Sequence, residues 1–134
     1  MLSKENGAPN TELEPVVRHI VAFMFVQDKT EFVEGTSEFR KGATDDDIAE
    51  IDRRFRDLKY KIPGIISIES SANDNPENLS QGYRRTWLVT FKSRADRDVY
   101  LNHPEHVKFK EFAGPFISVA FVYDIYDDTA GAKI

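Results

Sequence analysis

Residues 16–26, Val-Val-Arg-His-Ile-Val-Ala-Phe-Met-Phe-Val, constrain the fold more than any other stretch of the chain. β-Branched and aromatic side chains dominate this segment, which predicts a strand. Alternation places His19, Val21, Phe23 and Phe25 on one face, with Ile20, Ala22, Met24 and Val26 on the other. A strand that is apolar on both faces has to be covered on both. Helices of the same chain supply one cover. With 134 residues, the usual size of one domain, the chain is short enough that a second subunit is the expected source of the other.

The elements around this strand follow from spacing and punctuation. Thr44 precedes Asp45, Asp46 and Asp47, an N-cap followed by carboxylates where the helix dipole favours them. Ile48, Ile51, Phe55, Leu58 and Ile62 then form one apolar stripe at helical spacing, closed by Pro63-Gly64. Residues 65–69 predict a short strand and residues 73–78 a loop. Residues 83–92 alternate Arg85, Trp87, Val89 and Phe91 against Arg84, Thr86, Leu88 and Thr90, a third strand. Ser93 caps a second helix, Pro104 interrupts it, and a further short helix runs to about residue 112. Residues 116–126 form the last strand. The order strand, helix, strand, strand, helix, strand is the ferredoxin-like split βαβ pattern, an α+β fold with a four-stranded antiparallel sheet and helices on one face. The folded body is expected over 16–126. Residues 1–15 and 127–134 are polar and are expected to be flexible tails. The long polar stretch 27–43 carries Phe32, Val33 and Phe39, which are expected to reach a pocket rim or a partner subunit.

Charge and composition exclude several functions. The net charge is −5, and Lys108 and Lys110, which flank Phe109 between Glu105 and Glu111, read as a solvated helix face. No nucleic-acid partner is therefore expected. With 0 cysteines there is no disulfide scaffold, thiolate metal site or cysteine nucleophile. The longest apolar run, residues 20–26, is far short of the ~20 residues that cross a bilayer, so no membrane role is expected. Lys4 and Glu5 have no apolar stretch behind them, no secretory signal is visible, and the expected location is the cytoplasm.

Three passages carry a family resemblance: Arg18-His19-Ile20-Val21, Leu58-Lys-Tyr-Lys-Ile-Pro-Gly-Ile65, and residues 82–107, which contain His103-Pro104-Glu105-His106-Val107. Over about residues 17–126 the chain resembles the stress-response A/B barrel domain (Dabb) family. That resemblance implies a dimeric α/β barrel, a homodimer joined through its sheets, and a pocket for a small apolar or aromatic ligand. Some members of the family are polyketide cyclases that use a Tyr and a His, and the matching positions here are Tyr100 and His106. The chemistry is coherent. An imidazole can remove a proton α to a ketone, and a phenolic O–H can hold the oxyanion, with no cofactor required.

Two classes of function follow: a ligand-binding or structural dimeric domain, and a cofactor-independent enzyme acting on a ketone. His19 and His103 are possible supporting groups for the second class. The structural alternative makes His103 and His106 satisfy backbone groups around Pro104, and makes His19 a hydrogen-bonded core histidine. Six residues on one helix would point Tyr100 and His106 to nearly opposite faces, so they meet only if the Pro104 break turns the chain. Trp87 and Val89, with Val21 and Phe23, are the expected pocket walls, and Arg85 would favour an acidic ligand if its face lines the pocket. His103, Glu105 and His106 lack the i, i+4 spacing of a helical zinc pair, so no metal is expected, and no phosphate or dinucleotide loop is present.

Overall fold

The computed structural model describes residues 14–129 apart from 28–30, 33–38 and 41. The expected tails at 1–15 and 127–134 lie largely outside the described residues, as do the side chains of Phe32, Val33 and Phe39. The elements are β1 (Val17–Phe25), β2 (Glu31–Phe32), β3 (Phe39–Arg40), α1 (Asp45–Asp57), β4 (Ile65–Ala72), β5 (Arg85–Phe91), α2 (Arg94–Leu101), α3 (Pro104–Ala113) and β6 (Ile117–Ile125). Short 3₁₀ turns follow α1 (Leu58–Tyr60) and α3 (Gly114–Phe116). The main sheet has the order β4-β5-β1-β6, and every pairing in it is antiparallel. This is the split βαβ arrangement expected from the element order.

The barrel is not there. β4 and β6 stand at opposite edges of a four-stranded sheet and do not pair with each other. Closure requires the first and last strands to share a hydrogen-bond ladder, with tilt and shear to match. The expected α/β barrel is thereby corrected to an open sheet with helices on one face. A strand apolar on both faces demands cover, and that demand does not require the sheet to curl shut.

Local chemistry sets the element ends. Thr44 and Asp47 form a capping box: Thr44 Oγ1 accepts from the Asp47 amide at 3.1 Å, and the Thr44 amide donates to Asp47 Oδ2 at 2.9 Å. The predicted stripe is realised, with Ile51, Phe55, Leu58 and Ile62 buried against the sheet. Gly64 has a φ of +92°, and a Cβ there would lie 2.6 Å from the Asp96 side chain. Only glycine lets β4 begin this close to the first turn of α2. On the sheet, Val17, Val21, Phe23 and Phe25 of β1 join Trp87, Val89 and Phe91 of β5 in the core beneath the helices.

Candidate functional site

A cavity of about 430 Å³ opens on the helix side of the sheet, between α3 and the β1–β6 half. Val21, Phe23, Phe55, Phe109, Ile117 and Val122 form most of its apolar lining, and His19, Tyr100, His106 and Lys110 supply its charged and polar groups. Two of the four expected walls are there. Trp87 and Val89 are not among the lining residues: both are fully buried on β5, beneath the helices.

The break before Pro104 brings Tyr100 and His106 together. α2 ends at Leu101 and α3 begins at Pro104, a residue whose missing N–H is tolerated at a first helical position. The turn between them stacks the two rings with centroids 4.0 Å apart and planes at 22°. His106 Nδ1 donates to the carbonyls of Tyr100 at 3.1 Å and Leu101 at 3.3 Å, groups left over at the end of α2. A carbonyl can only accept, so Nδ1 carries the proton and a neutral His106 keeps its lone pair on Nε2. Burial holds the His106 imidazole below its ordinary pKa. The Leu101 and Tyr100 carbonyls oppose that shift, and the nearby charge of Lys110 adds to it.

Tyr100 is fully buried, and its hydroxyl is the one buried side-chain polar atom without a hydrogen-bond partner among the described residues. Burial pushes its phenol well above the ordinary range, so it stays a protonated donor. Its ring packs edge-on to His19 at 5.7 Å and Phe91 at 5.0 Å. His19 is itself buried, and its Nδ1 donates to Asp124 Oδ1 at 2.5 Å. The other carboxylate oxygen accepts from Arg97 Nη1 at 2.7 Å. His19, Asp124 and Arg97 thus link β1, β6 and α2 beside the cavity.

His103 is elsewhere. Its Nδ1 accepts from the Glu105 amide at 3.1 Å, which makes it the N-cap of α3, and it does not line the cavity. Arg85 is turned to other partners, with Nε donating to Ser70 Oγ at 2.7 Å and its guanidinium 3.3 Å from Asp52 Oδ2. It does not face the cavity that holds Tyr100. Asp124 and Arg97 escaped the sequence reading, while Lys110, read there as part of a solvated helix face, is exposed and also lines the cavity. The alternation of β6 against β1 is the signal that would have paired His19 with Asp124. The spacing of His106, Phe109, Lys110 and Ala113, a single helical face, would have put Lys110 near the site. Among the described residues no group of three or more His, Cys, Asp or Glu is placed to hold a metal ion, and no helix is long and apolar enough to cross a membrane.

An open ferredoxin-like sheet with helices on one face places the chain among small α+β domains. The particular family is shown by the sequence itself. Residues 36–127 match the family described as the stress responsive A/B barrel domain, and the chain belongs to that family. The match includes His103-Pro104-Glu105-His106 but begins after β1. Over 73 residues the chain is 29% identical to the stress-response A/B barrel domain-containing protein HS1 of Arabidopsis thaliana, covering 54% of this chain and 67% of that protein. Three solved structures share the fold. A protein from Arabidopsis thaliana superposes with a TM-score of 0.66 at 23% identity, over 81% of this chain and 92% of its own. The hydroxynitrile lyase of Passiflora edulis gives 0.63 at 19% identity, over 84% and 93%. A dimeric ferredoxin-like protein of unknown function from Jannaschia sp. CCS1 gives 0.61 at 20% identity, over 82% and 97%.

Proposed function

We propose that this protein is a homodimeric small-molecule-binding domain whose cavity takes an apolar or aromatic compound bearing a carbonyl or hydroxyl. The unpartnered Tyr100 hydroxyl carries this reading. Leaving a buried donor unsatisfied costs about 1–3 kcal/mol, which a ligand oxygen would recover. An apolar cavity with a few convergent polar groups is the usual form of such a site. The dimer is supported by the open sheet face. Val119, Phe121, Tyr123 and Ile125 of β6 alternate there and are exposed, beside Ile20, Ala22 and Met24 of β1. A contiguous apolar surface of this kind marks an interaction face. Sedimentation at micromolar concentration is expected to give a dimer, and a monomer would refute this part.

His106 supports a second reading, a cofactor-independent cyclase-like enzyme. With Nδ1–H held by two carbonyls, Nε2 is the basic nitrogen, and burial keeps the ring neutral near pH 7. Nε2 removes a proton α to a ketone. The carbanion attacks a second carbonyl of the same molecule, forming a carbon–carbon bond. Tyr100 donates to the resulting alkoxide, which takes the proton back from His106. The probe is 2,6-heptanedione, whose intramolecular aldol product loses water to a conjugated enone visible by ultraviolet absorbance. Enone formation that disappears in His106→Ala and Tyr100→Phe supports the enzyme. Binding of the diketone without conversion leaves the binding domain alone. Absence of binding by NMR titration would refute both readings.

A further inference from the structure

The cavity carries one cation without an acid to match it. Lys110 lies one helical turn from His106 and lines the same cavity. Its neighbours are engaged: Lys108 sits 3.5 Å from Glu105, and Lys61 is 3.4 Å from Asp57 and 3.7 Å from Glu105. Lys110 has no carboxylate partner among the described residues, and it is exposed at the mouth while the interior is apolar. Asp124, the acid bound to the cavity's His19, is already held by Arg97 at 2.7 Å. The lining therefore holds a positive rim and no free negative charge.

We infer that Lys110 selects ligands bearing a carboxylate, so that the bound molecule is an oxo or hydroxy acid with its anionic end at the mouth and its neutral oxygen at Tyr100. This rests on the cavity reading above and adds the substrate class to it. The two polar ends divide the work. Tyr100, fully buried, and His106, half-buried, are both uncharged and meet a neutral oxygen, because an anion placed beside them would be stripped of much of its water. Lys110, still wet, holds the anion without that desolvation cost.

The test uses a matched pair of probes, 4-benzoylbutyrate and its methyl ester, which share the phenyl ketone and differ in charge. Titration of the full chain by NMR is expected to show the acid bound about fivefold more tightly than the ester, the scale of a solvent-exposed ion pair. In Lys110→Met that preference disappears, the ester binds as before, and thermal unfolding is unchanged because the side chain is exposed. Raising the salt concentration narrows the preference in the natural chain and not in the variant. Equal binding of the two probes, or a preference that survives Lys110→Met, overturns the inference. Tyr100→Phe separates this from the cavity reading. If it weakens both probes equally, the cavity reading stands on its own. If it weakens neither while the acid preference persists, Lys110 selects anions but the Tyr100 site fails. Binding of neither probe overturns both.

Discussion

The helix side of the sheet holds two polar clusters in one apolar layer, and they are built to opposite ends. Over the β4–β5 half, Trp87 Nε1 donates to Asp52 Oδ1 at 2.9 Å, Arg56 Nε donates to both Asp52 oxygens at 3.0–3.1 Å, and Arg85 reaches Asp52 at 3.3 Å and Ser70 at 2.7 Å. Burial alone would raise the Asp52 carboxyl, but these donors outweigh it and hold it below its usual value. Over the β1–β6 half, Tyr100 is buried more completely than Asp52, and its hydroxyl has no partner among the described residues. Phe55 stands between the two, stacked on Trp87 at 5.0 Å and packed on Phe109 at 4.8 Å at the cavity wall. A buried polar group that is fully paired stabilises a unique packing, whereas one left without a partner costs stability.

Mutations should separate the two clusters. The largest effect is expected for Trp87→Ala, which empties a fully buried position and should cost about 3–5 kcal/mol in denaturant unfolding. A cost below about 1 kcal/mol would mean the closed cluster does not anchor the core. Asp52→Ala leaves the buried Trp87 indole N–H without its acceptor, while Arg56 and Arg85 keep their bonds to Ser70, an expected loss of about 1–3 kcal/mol by the same measurement. Tyr100→Phe should behave in the opposite sense. It removes an unsatisfied hydroxyl, so the melting temperature is expected to hold or rise slightly, within about 1 kcal/mol, while probe binding weakens. A Tyr100→Phe variant as destabilised as Asp52→Ala would erase the distinction.

The smallest effect concerns pH. His106 is held below the ordinary histidine pKa of 6.5 by burial, so the unfolded chain takes up its proton first. Its contribution to stability is therefore complete above about pH 6.5 and declines as the pH falls through the folded-state value. His106→Gln should flatten that part of the pH profile, and imidazole NMR should place the His106 midpoint below 6.5. A midpoint above 6.5 would remove the neutral base from the second functional reading.

Much of this arrangement was legible from residue patterns. The capping of α1 by Thr44, its apolar stripe, the double-faced β1 and the Pro104 break each depend on residues close in sequence, where spacing alone dictates geometry. Tyr100 and His106 were legible only as a resemblance, because helical spacing separates them until the chain turns. His103 illustrates the limit: the residue type suited a site, and the local turn made it a cap.

The sequence by itself determined the order of the main-sheet strands and helices, the family, and the need for cover on both faces of β1, but not the β2–β3 pair within 27–43. Tertiary structure alone decided that the sheet stays open, that Trp87 turns to Asp52 and not to the cavity, and that Asp124 reaches His19 across 105 residues of chain. The physical reason is range. Propensity, capping and periodicity act within a few residues of one another. Strand register and helix docking bring together side chains that no local pattern relates, and it is in those contacts that a buried hydroxyl finds a partner or is left without one.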